Sequence, residues 1–230
     1  VFGNDLFYKD EFRAKINVSA LAGIKSVTLG GQPLDTSVDF VRTEEFEDAD
    51  VEVTNNLGVK TTRKLYDILG IKGKTVHIDK VRPGLKYQTN GKDAYKDAQG
   101  RTWFSEMKNF TLFMSDDKAI GNYVVKVNGV ILAEKVIEGN KTQLEEIIDF
   151  SNVQVSNDGT YNIETIVVDK AGRETKSTQV VYIDHIKPDI KGIVLDNTKV
   201  TAYKDFGYYV KGSELKVLEY KLQTPLTGGK

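Results

Sequence analysis

Apolar and polar residues alternate in two successive runs, residues 161–168 and 175–183, and this pattern is the clearest structural signal in the chain. In the first run every second side chain, beginning with Tyr161, falls on one face, which indicates a half-buried β-strand. The Asp-Lys-Ala-Gly sequence between the runs ends at Gly172 and predicts a tight turn, in which glycine supplies a positive φ. The pattern therefore predicts a β-hairpin.

Three short sequences recur along the chain in the same order, which predicts a repeated structural unit. They are Tyr-Lys-Asp at residues 8–10, 95–97 and 203–205, Ile-Asp followed by proline at residues 78–83 and 183–188, and a strand with a glycine turn at residues 27–31 and 125–129. Pro83 and Pro188 end a strand in the second sequence, because proline has no N–H for a ladder. The repeats divide the chain into a first unit (residues 1–84), a second unit (85–190) and a partial third unit (191–230).

The hydrophobic pattern predicts strands for most of the first unit, which lacks a leading strand. Its last hairpin is predicted from residues 50–54 and 57–65. Residues 66–74 have no counterpart in the second unit, so we expect a local excursion or a bulged strand there.

The second unit is predicted to be complete, with one long strand-like run at residues 102–114. Thr142 and Glu145 form a capping-box pattern, and the apolar spacing around them predicts a single helical turn. The third unit is too short to bury a core of its own. We therefore expect residues 191–230 to pack against the second unit, with pairing to another chain as the alternative.

Composition restricts the classes of function. The chain has no cysteine, which excludes thiolate metal sites, thiol catalysis and the inter-sheet disulfide of antibody domains. Lysine and arginine number 32 against 33 aspartates and glutamates, so the charge gives no reason to expect nucleic acid as a partner. The sequence contains no run of 18 apolar residues, so no membrane insertion is predicted. The chain begins without methionine, which favours a piece of a longer protein.

Tyr161, the Asp-x-Ala-Gly turn ending at Gly172 and the Asp184…Pro188 sequence resemble tandem immunoglobulin-like and fibronectin-like repeats of Gram-positive surface proteins. The resemblance implies an all-β fold of tandem immunoglobulin-like β-sandwiches. It also implies a corner between Asp158 and Tyr161, where the buried tyrosine's hydroxyl bonds to nearby backbone. Asp79…Pro83 matches in the first unit, whereas residues 55–58 match loosely.

The resemblance further implies an extracellular protein at the cell-wall surface. The expected role is a non-catalytic stalk, spacer and interaction module, including an accessory region of a cell-envelope subtilisin-like serine protease. The alternative is an adhesin module that binds a host protein or a glycan directly. The expected partners are extracellular proteins or glycans and the neighbouring domains of the parent chain.

Candidate chemistry is sparse. His77 and His185 lie near the repeated Ile-Asp sequence without a serine nucleophile context, so we interpret both as exposed linker histidines and expect no catalytic residue and no cofactor. Trp103 and Phe104 are predicted to be core residues rather than a sugar-binding platform.

Calcium is the one ligand for which residues can be named. Ca²⁺ needs six to eight oxygen ligands from convergent loops. Asp79 and Asp184, which adjoin the linkers between units, are the first candidate ligands. Asp116-Asp117 and residues 93–97 could also contribute, but the absence of a DxDxDG sequence favours ordinary solvated turns there.

Overall fold

The structure, a computed structural model, describes residues 3–151, 153 and 159–187, together with the backbone of residues 189–195, 200–203, 207–210 and 217–223. Most of these residues lie in β-strands. None of the helices in this part of the chain is long and apolar enough to cross a membrane.

The first unit contains eight strands and one short helix. They are β1 (Asp5–Lys9), β2 (Phe12–Ala14), β3 (Ile24–Leu29), β4 (Gln32–Pro33), β5 (Phe40–Arg42), β6 (Asp50–Asn55), β7 (Lys60–Lys64), α1 (Leu65–Leu69) and β8 (Thr75–Asp79). The strands form a parallel β1–β8 pair, an antiparallel β2–β5 pair and a four-stranded sheet in the order β4-β3-β6-β7. One apolar cluster draws residues from all three sheets and from α1.

The second unit is a two-sheet sandwich. Its strands are β9 (Gly84–Lys92), β10 (Tyr95–Lys96), β11 (Thr102–Phe104), β12 (Glu106–Ser115), β13 (Ile120–Val127), β14 (Val130–Val136), β15 (Gln143–Asp149), β16 (Gly159–Asp169) and β17 (Glu174–Ile183). One sheet has the order β10-β11-β17-β16-β13-β14 and the other β15-β12-β9. The inward residues of both sheets, Phe110, Leu112, Val125 and Val167 among them, form a second cluster. The all-β sandwich fold predicted from the sequence is confirmed.

The two units share one topological feature, a short strand that runs parallel to the last strand. β1 pairs with β8 so that Tyr8 is opposite Ile78, and β11 pairs with β17 so that Phe104 is opposite Ile183. The repeated Ile-Asp sequence therefore occupies the same place in both units. The repeated Tyr-Lys-Asp sequence does not, because Tyr95 lies in β10, outside the parallel pair.

The beginning of the two units differs. In the second unit β9 pairs with β12 and leads the sheet. In the first unit β2 follows the parallel strand β1, as β12 follows β11 in the second unit. β2 pairs with β5, and within residues 3–83 it has no second partner that corresponds to β9. Whether the units are separate domains divided at residues 84 and 190 stays a prediction.

Two local predictions for the second unit are wrong. The chain after Thr142 does not form a helical turn but continues as β15, which pairs with β12 from Asn109↔Asp149 to Ser115↔Gln143. The run at residues 102–114 is not one strand. It is interrupted at Ser105, where the chain leaves the larger sheet and continues as β12 in the smaller one.

The excursion after β7 is a short helix with a turn. α1 ends at a residue in the left-handed region, Gly70, whose φ is 70°. The backbone N–H of Ile71 then donates to the Tyr66 carbonyl. This helix and turn account for the extra length of the first unit here. They also place Leu65 and Tyr66 in the first cluster.

The predicted structural residues lie partly within the described region. Tyr161 is buried in the second cluster, and Gly172 has a φ of 85° in the turn between β16 and β17. Pro83 is buried between β8 and β9. Asp158 and Pro188 lie outside the described residues, so the bond from the Tyr161 hydroxyl to the backbone near Asp158 stays a prediction.

The third unit is described as two antiparallel pairs. β18 (Asp189–Leu195) pairs with β21 (Val217–Gln223), and β19 (Val200–Tyr203) pairs with β20 (Gly207–Val210). The β18–β21 pair corresponds in order and direction to β9–β12 of the second unit.

Candidate metal centre at the junction of the two units

The first and second units meet at the linker between β8 and β9 and at three loops of the second unit. We call these segments, residues 79–83, 116–119, 137–142 and 170–173, the junction. Thr175 Oγ1 donates a 2.6 Å hydrogen bond to the Pro83 carbonyl, and the Arg82 guanidinium donates to the Glu174 carbonyl. The linker is thereby fixed to the start of β17.

Arg173 makes the central contact across the junction. Its side chain is only 10% exposed. Nε donates to the backbone carbonyl of Asp79 at 3.1 Å, and Nη2 pairs with the Asp10 carboxylate. A guanidinium suits this position because its planar donors can serve a carbonyl and a carboxylate together.

Further polar contacts surround this arginine. Lys118 Nζ pairs with Glu45 Oε1 at 2.6 Å, and Asn140 Nδ2 donates to Asp5 Oδ2 at 2.9 Å. His77 Nε2 lies 3.0 Å from Asp5 Oδ1, and its ring stacks on Phe7. His77 lies within β8, its side chain is 21% exposed, and it contacts the same Asp5 that accepts from Asn140, so the interpretation as an exposed linker histidine is wrong for it. His185 is exposed.

An acidic group lies beside these contacts. One carboxylate oxygen from each of Asp79, Asp116 and Asp117 lies within 4.8 Å of the other two. Asp79 comes from the end of β8, whereas Asp116 and Asp117 come from the loop after β12, so both units contribute. Asp79 is fully buried and Asp116 is 9% exposed. The interpretation of Asp116 as a solvated turn residue is therefore wrong.

Each buried aspartate uses one oxygen locally and leaves the other without a partner. Oδ1 of Asp79 accepts from the backbone N–H of Val81, and Oδ1 of Asp116 accepts from those of Lys118 and Ala119. Asp169, 3% exposed, likewise accepts the N–H of Arg173 on Oδ1. Among the described residues, Oδ2 of Asp79, Asp116 and Asp169 is buried and has no hydrogen-bond partner.

The electrostatic consequence is that these carboxyls resist ionisation. Burial raises the pKa of Asp79 to about 6 against the lowering effect of the Val81 N–H, and the charges of Asp169, Asp116 and Asp117 raise it further. Burial also raises the pKa of Asp116 and of Asp169, although backbone N–H groups oppose the shift in both. A buried anion without a partner is costly.

The turn that carries Asp169 occurs three times within the described residues. Asn55, Asp97 and Asp169 each begin a five-residue turn in which the side-chain Oδ1 accepts from the backbone N–H four residues on. The fourth residue is glycine each time, with φ of 81°, 78° and 85°. The sequence predicted this turn at Asp169 but gave no sign that Asp169 would be buried beside Asp79.

The two aspartate turns use their second oxygen differently. Arg101 folds back on its own turn and donates from Nε to Asp97 Oδ2 at 2.6 Å, as does Trp103 Nε1 at 2.9 Å. Arg173 stands at the same position of its turn but extends to the first unit. Asp169 Oδ2 is left unpartnered for this reason.

The structure separates the two candidate metal ligands proposed from the sequence. Asp79 belongs to the acidic group. Asp184 follows β17, where its N–H donates to the Phe104 carbonyl and its Oδ1 accepts from the N–H of Ile186. Trp103 and Phe104 are buried, at 5% and 7%, which confirms their predicted core role.

Comparison with known proteins adds little. No protein-family model matches the chain, and no curated protein matches it. The fibronectin(III)-like modules of Clostridium thermocellum CbhA match 80% of this chain and 90% of their own length, with 13% identity and a TM-score of 0.36. The Bacteroides ovatus mixed-linkage glucan utilization locus protein SGBP-B, in complex with a mixed-linkage heptasaccharide, matches 78% of this chain and 42% of its own, with 13% identity and a TM-score of 0.23. The sandwich fold therefore rests on the strand pairing of this chain.

Proposed function

We propose that this chain is a non-catalytic spacer and interaction module of a secreted, cell-wall-attached bacterial surface protein. The observation that carries the proposal is the junction, in which a largely buried Arg173 joins the two units. A spacer holds a functional domain at a defined distance only if its units do not swivel. The finer role within this class is the accessory region of a cell-envelope serine protease, where the array separates the catalytic domain from the wall.

The junction contacts are suited to holding one orientation. Arg173 contacts Asp79 in the linker and Asp10 at the end of β1, so it spans two segments of the first unit. The Lys118–Glu45 and Asn140–Asp5 contacts lie on other loops and restrict rotation about the linker. Contacts distributed over several loops resist both bending and twisting, which one linker cannot do.

Small-angle X-ray scattering tests this proposal. We expect one fixed maximum dimension for the wild type and a broadened distance distribution for Arg173→Ala. The matched control is Arg101→Ala, because Arg101 occupies the same turn position but contacts its own turn. Wild-type scattering that requires an ensemble of unit orientations would contradict the rigid spacer.

The alternative function, an adhesin module, is favoured by one observation. β14 and β15 are edge strands of the two sheets, and the Lys135–Glu146 pair joins them at 2.6 Å. Four apolar side chains on these strands are exposed: Val130, Ile131, Val136 and Ile147. Exposed apolar residues beside strand edges are typical of protein-binding surfaces.

Binding to immobilised extracellular proteins and glycans tests the adhesin alternative. We expect an Ile131→Glu, Ile147→Lys double variant to lose any binding that the wild type shows, with its melting temperature unchanged because both side chains are exposed. A wild type that binds none of the panel, or a variant that binds equally well, would contradict this alternative.

A further inference from the structure

The acidic group at the junction has a shortage of positive charge. Three aspartates, Asp79, Asp116 and Asp169, each have a buried Oδ2 without a partner in the described part of the chain. Arg82, Lys118 and Arg173 are cationic side chains beside the group or its cleft, but each contacts another partner, and Arg82 donates to the Glu174 carbonyl. Lys118 pairs with Glu45, and Arg173 directs its donors to the Asp79 carbonyl and to Asp10, with Nε 3.9 Å from Asp79 Oδ1.

We propose that the junction binds one Ca²⁺ ion between the two units, with carboxylate oxygens of Asp79, Asp116 and Asp117 as ligands. This inference rests on the proposed function only in that both units must meet as they do here. Asp169 lies outside the three ligands, and its negative charge acts on Asp79.

The chemistry of the donors selects a hard cation. All three ligands are carboxylates, and the chain has no cysteine. Ca²⁺ contacts oxygen at about 2.3–2.6 Å, so oxygens on opposite sides of the ion lie roughly 5 Å apart. The three carboxylate oxygens lie within 4.8 Å of one another, and this separation is compatible with a shared ion of this size. Mg²⁺ requires closer and more regular ligands, at about 2.0–2.1 Å, and loses its waters reluctantly.

The local structure prepares the two buried aspartates for this role. Their Oδ1 atoms are fixed by backbone N–H groups, so that the side chains are held in place and Oδ2 remains available. A surface cleft lined by residues that include Arg82, Asp116 and Asp117 gives solvent access to one side of the group, although the fully buried Asp79 does not line it. Water entering by this route can complete the coordination of the ion.

The sequence has no equivalent aspartate pair after the strand that corresponds to β12 in the third unit. β9 pairs with β12 so that Gly84 is opposite Ser115, and Asp116-Asp117 follow Ser115. β18 pairs with β21 so that Asp189 is opposite Gln223, and Thr224-Pro225 follow Gln223. The sequence therefore repeats Asp79 as Asp184 but does not repeat the pair of aspartates that would join it.

Calorimetric titration of the EDTA-treated full chain with CaCl₂ tests the proposal. We expect one saturable site with Kd on the order of 10⁻⁴ M, the tight end of the range for extracellular calcium modules. Asp79→Asn and Asp116→Asn should each weaken binding at least about tenfold, since each removes a charged ligand. An asparagine oxygen still accepts the local N–H bonds, so both variants retain their turns. Asp184→Asn is the matched control and should bind as the wild type does.

Thermal melting provides an independent readout. At a Ca²⁺ concentration of about 100 Kd the wild type should melt roughly 5–10 °C higher than in EDTA. In EDTA, Asp79→Asn should melt at or above the wild-type temperature, because a buried charge among like charges has been removed. Its melting temperature should not respond to Ca²⁺.

Three results would overturn the inference: no saturable binding up to 10 mM Ca²⁺ (on the order of 100 times the expected Kd), unchanged binding in Asp79→Asn, or a Mg²⁺ affinity equal to that of Ca²⁺. Scattering separates this inference from the proposed function. A fixed wild-type dimension without Ca²⁺ binding would support the rigid spacer and contradict the calcium site. Ca²⁺ binding to a chain whose units change orientation would contradict the rigid spacer and support the calcium site.

Discussion

Asp97 shows how one carboxylate can organise a turn and the aromatic residue beside it. Burial raises its pKa. The hydrogen bonds from Trp103 Nε1, from the Arg101 backbone and from the Arg101 guanidinium lower the pKa by more than burial raises it, so that the net value is about 2. All of these bonds favour the ionised form. The charged turn thereby holds Trp103 against Tyr182, whose ring centroid lies 5.1 Å away.

The Asp97 turn makes a pH-dependent contribution to stability. Because its pKa in the folded state lies below the reference value of 3.8, the contribution is complete above pH 3.8 and is lost as the pH falls through about 2. We expect Asp97→Asn to lower the melting temperature at pH 7, with the difference from the wild type disappearing near pH 2. Trp103 is the only tryptophan, so its fluorescence reports the transition. A pKa of Asp97 near 4 by NMR would contradict this account.

The Asp169 turn marks the limit of sequence reasoning at this scale. Its Asp-x-x-Gly pattern was sufficient to predict the turn and the positive φ of Gly172, because both depend on local backbone geometry. The unpartnered Oδ2 depends instead on Arg173 extending to the first unit. Arg101 has the same local sequence environment and folds the other way. The long-range contact decides which arginine leaves its aspartate unpaired.

At the scale of elements, β15 shows how a short segment can satisfy two patterns. Thr142 and Glu145 fit a helix start, but Leu144, Glu146 and Ile148 are the inward residues of a strand. The unpaired edge of β12 accepts this strand along seven residue pairs, from Asn109↔Asp149 to Ser115↔Gln143. A ladder of that length outweighs one capping box, whose contribution is about 1 kcal/mol.

Adjacent isoleucines in β15 provide a test of this assignment. Ile148 is 3% exposed and Ile147 is 68% exposed, so their side chains lie on opposite faces. We expect Ile148→Ala to reduce the free energy of unfolding by about 2–5 kcal/mol. Ile147→Ala should change it by less than about 0.5 kcal/mol. Urea unfolding followed by Trp103 fluorescence measures both, and equal effects would show that β15 is assigned wrongly.

β13 approaches the Asp169 turn closely at Gly121, where the register with β16 shifts. A Cβ there would lie 2.8 Å from the Asp169 carbonyl oxygen and 2.9 Å from that of Val168, and backbone atoms cannot rotate away. Gly121→Ala should therefore destabilise the second unit by about 1–3 kcal/mol in urea unfolding. Gly84→Ala is the control, because its closest contact is the movable Ser115 Oγ at 2.6 Å. Equal tolerance of both changes would indicate that β13 and β16 can separate without cost.

For the molecule as a whole, the sequence repeats predicted the order of the strands but did not predict the contacts between the units. The parallel pairs β1–β8 and β11–β17 end in the same Ile-Asp sequence, so the repeat correctly related them. The junction could not be derived in this way. Asp5, Glu45, Lys118 and Asn140 are ordinary polar residues in sequence and become partners only because the two units meet.

The third unit begins in the same way as the second. β18–β21 corresponds to β9–β12, and the short β19–β20 hairpin lies between its strands as β10–β11 lies between β9 and β12. In the second unit these strands are covered by β13 to β17. In the third, the described strands form two separate two-stranded sheets that pair with no strand of the first two units. Two-stranded sheets are marginally stable in water. A partner surface is therefore expected, and the second unit is tethered closest.

Removal of residues 191–230 tests this docking. If the third unit packs on the second, its removal exposes apolar surface while leaving β9 to β17 intact. The melting transition followed by Trp103 fluorescence should then fall by about 2–4 °C, which corresponds to roughly 1 kcal/mol for a chain of this size. Hydrogen exchange on the full chain should show protected amides in β18 and β21. An unchanged melting temperature together with random-coil exchange in those strands would contradict docking. Loss of protection on dilution of the full chain would instead indicate pairing with a second chain, because only intermolecular contacts depend on concentration.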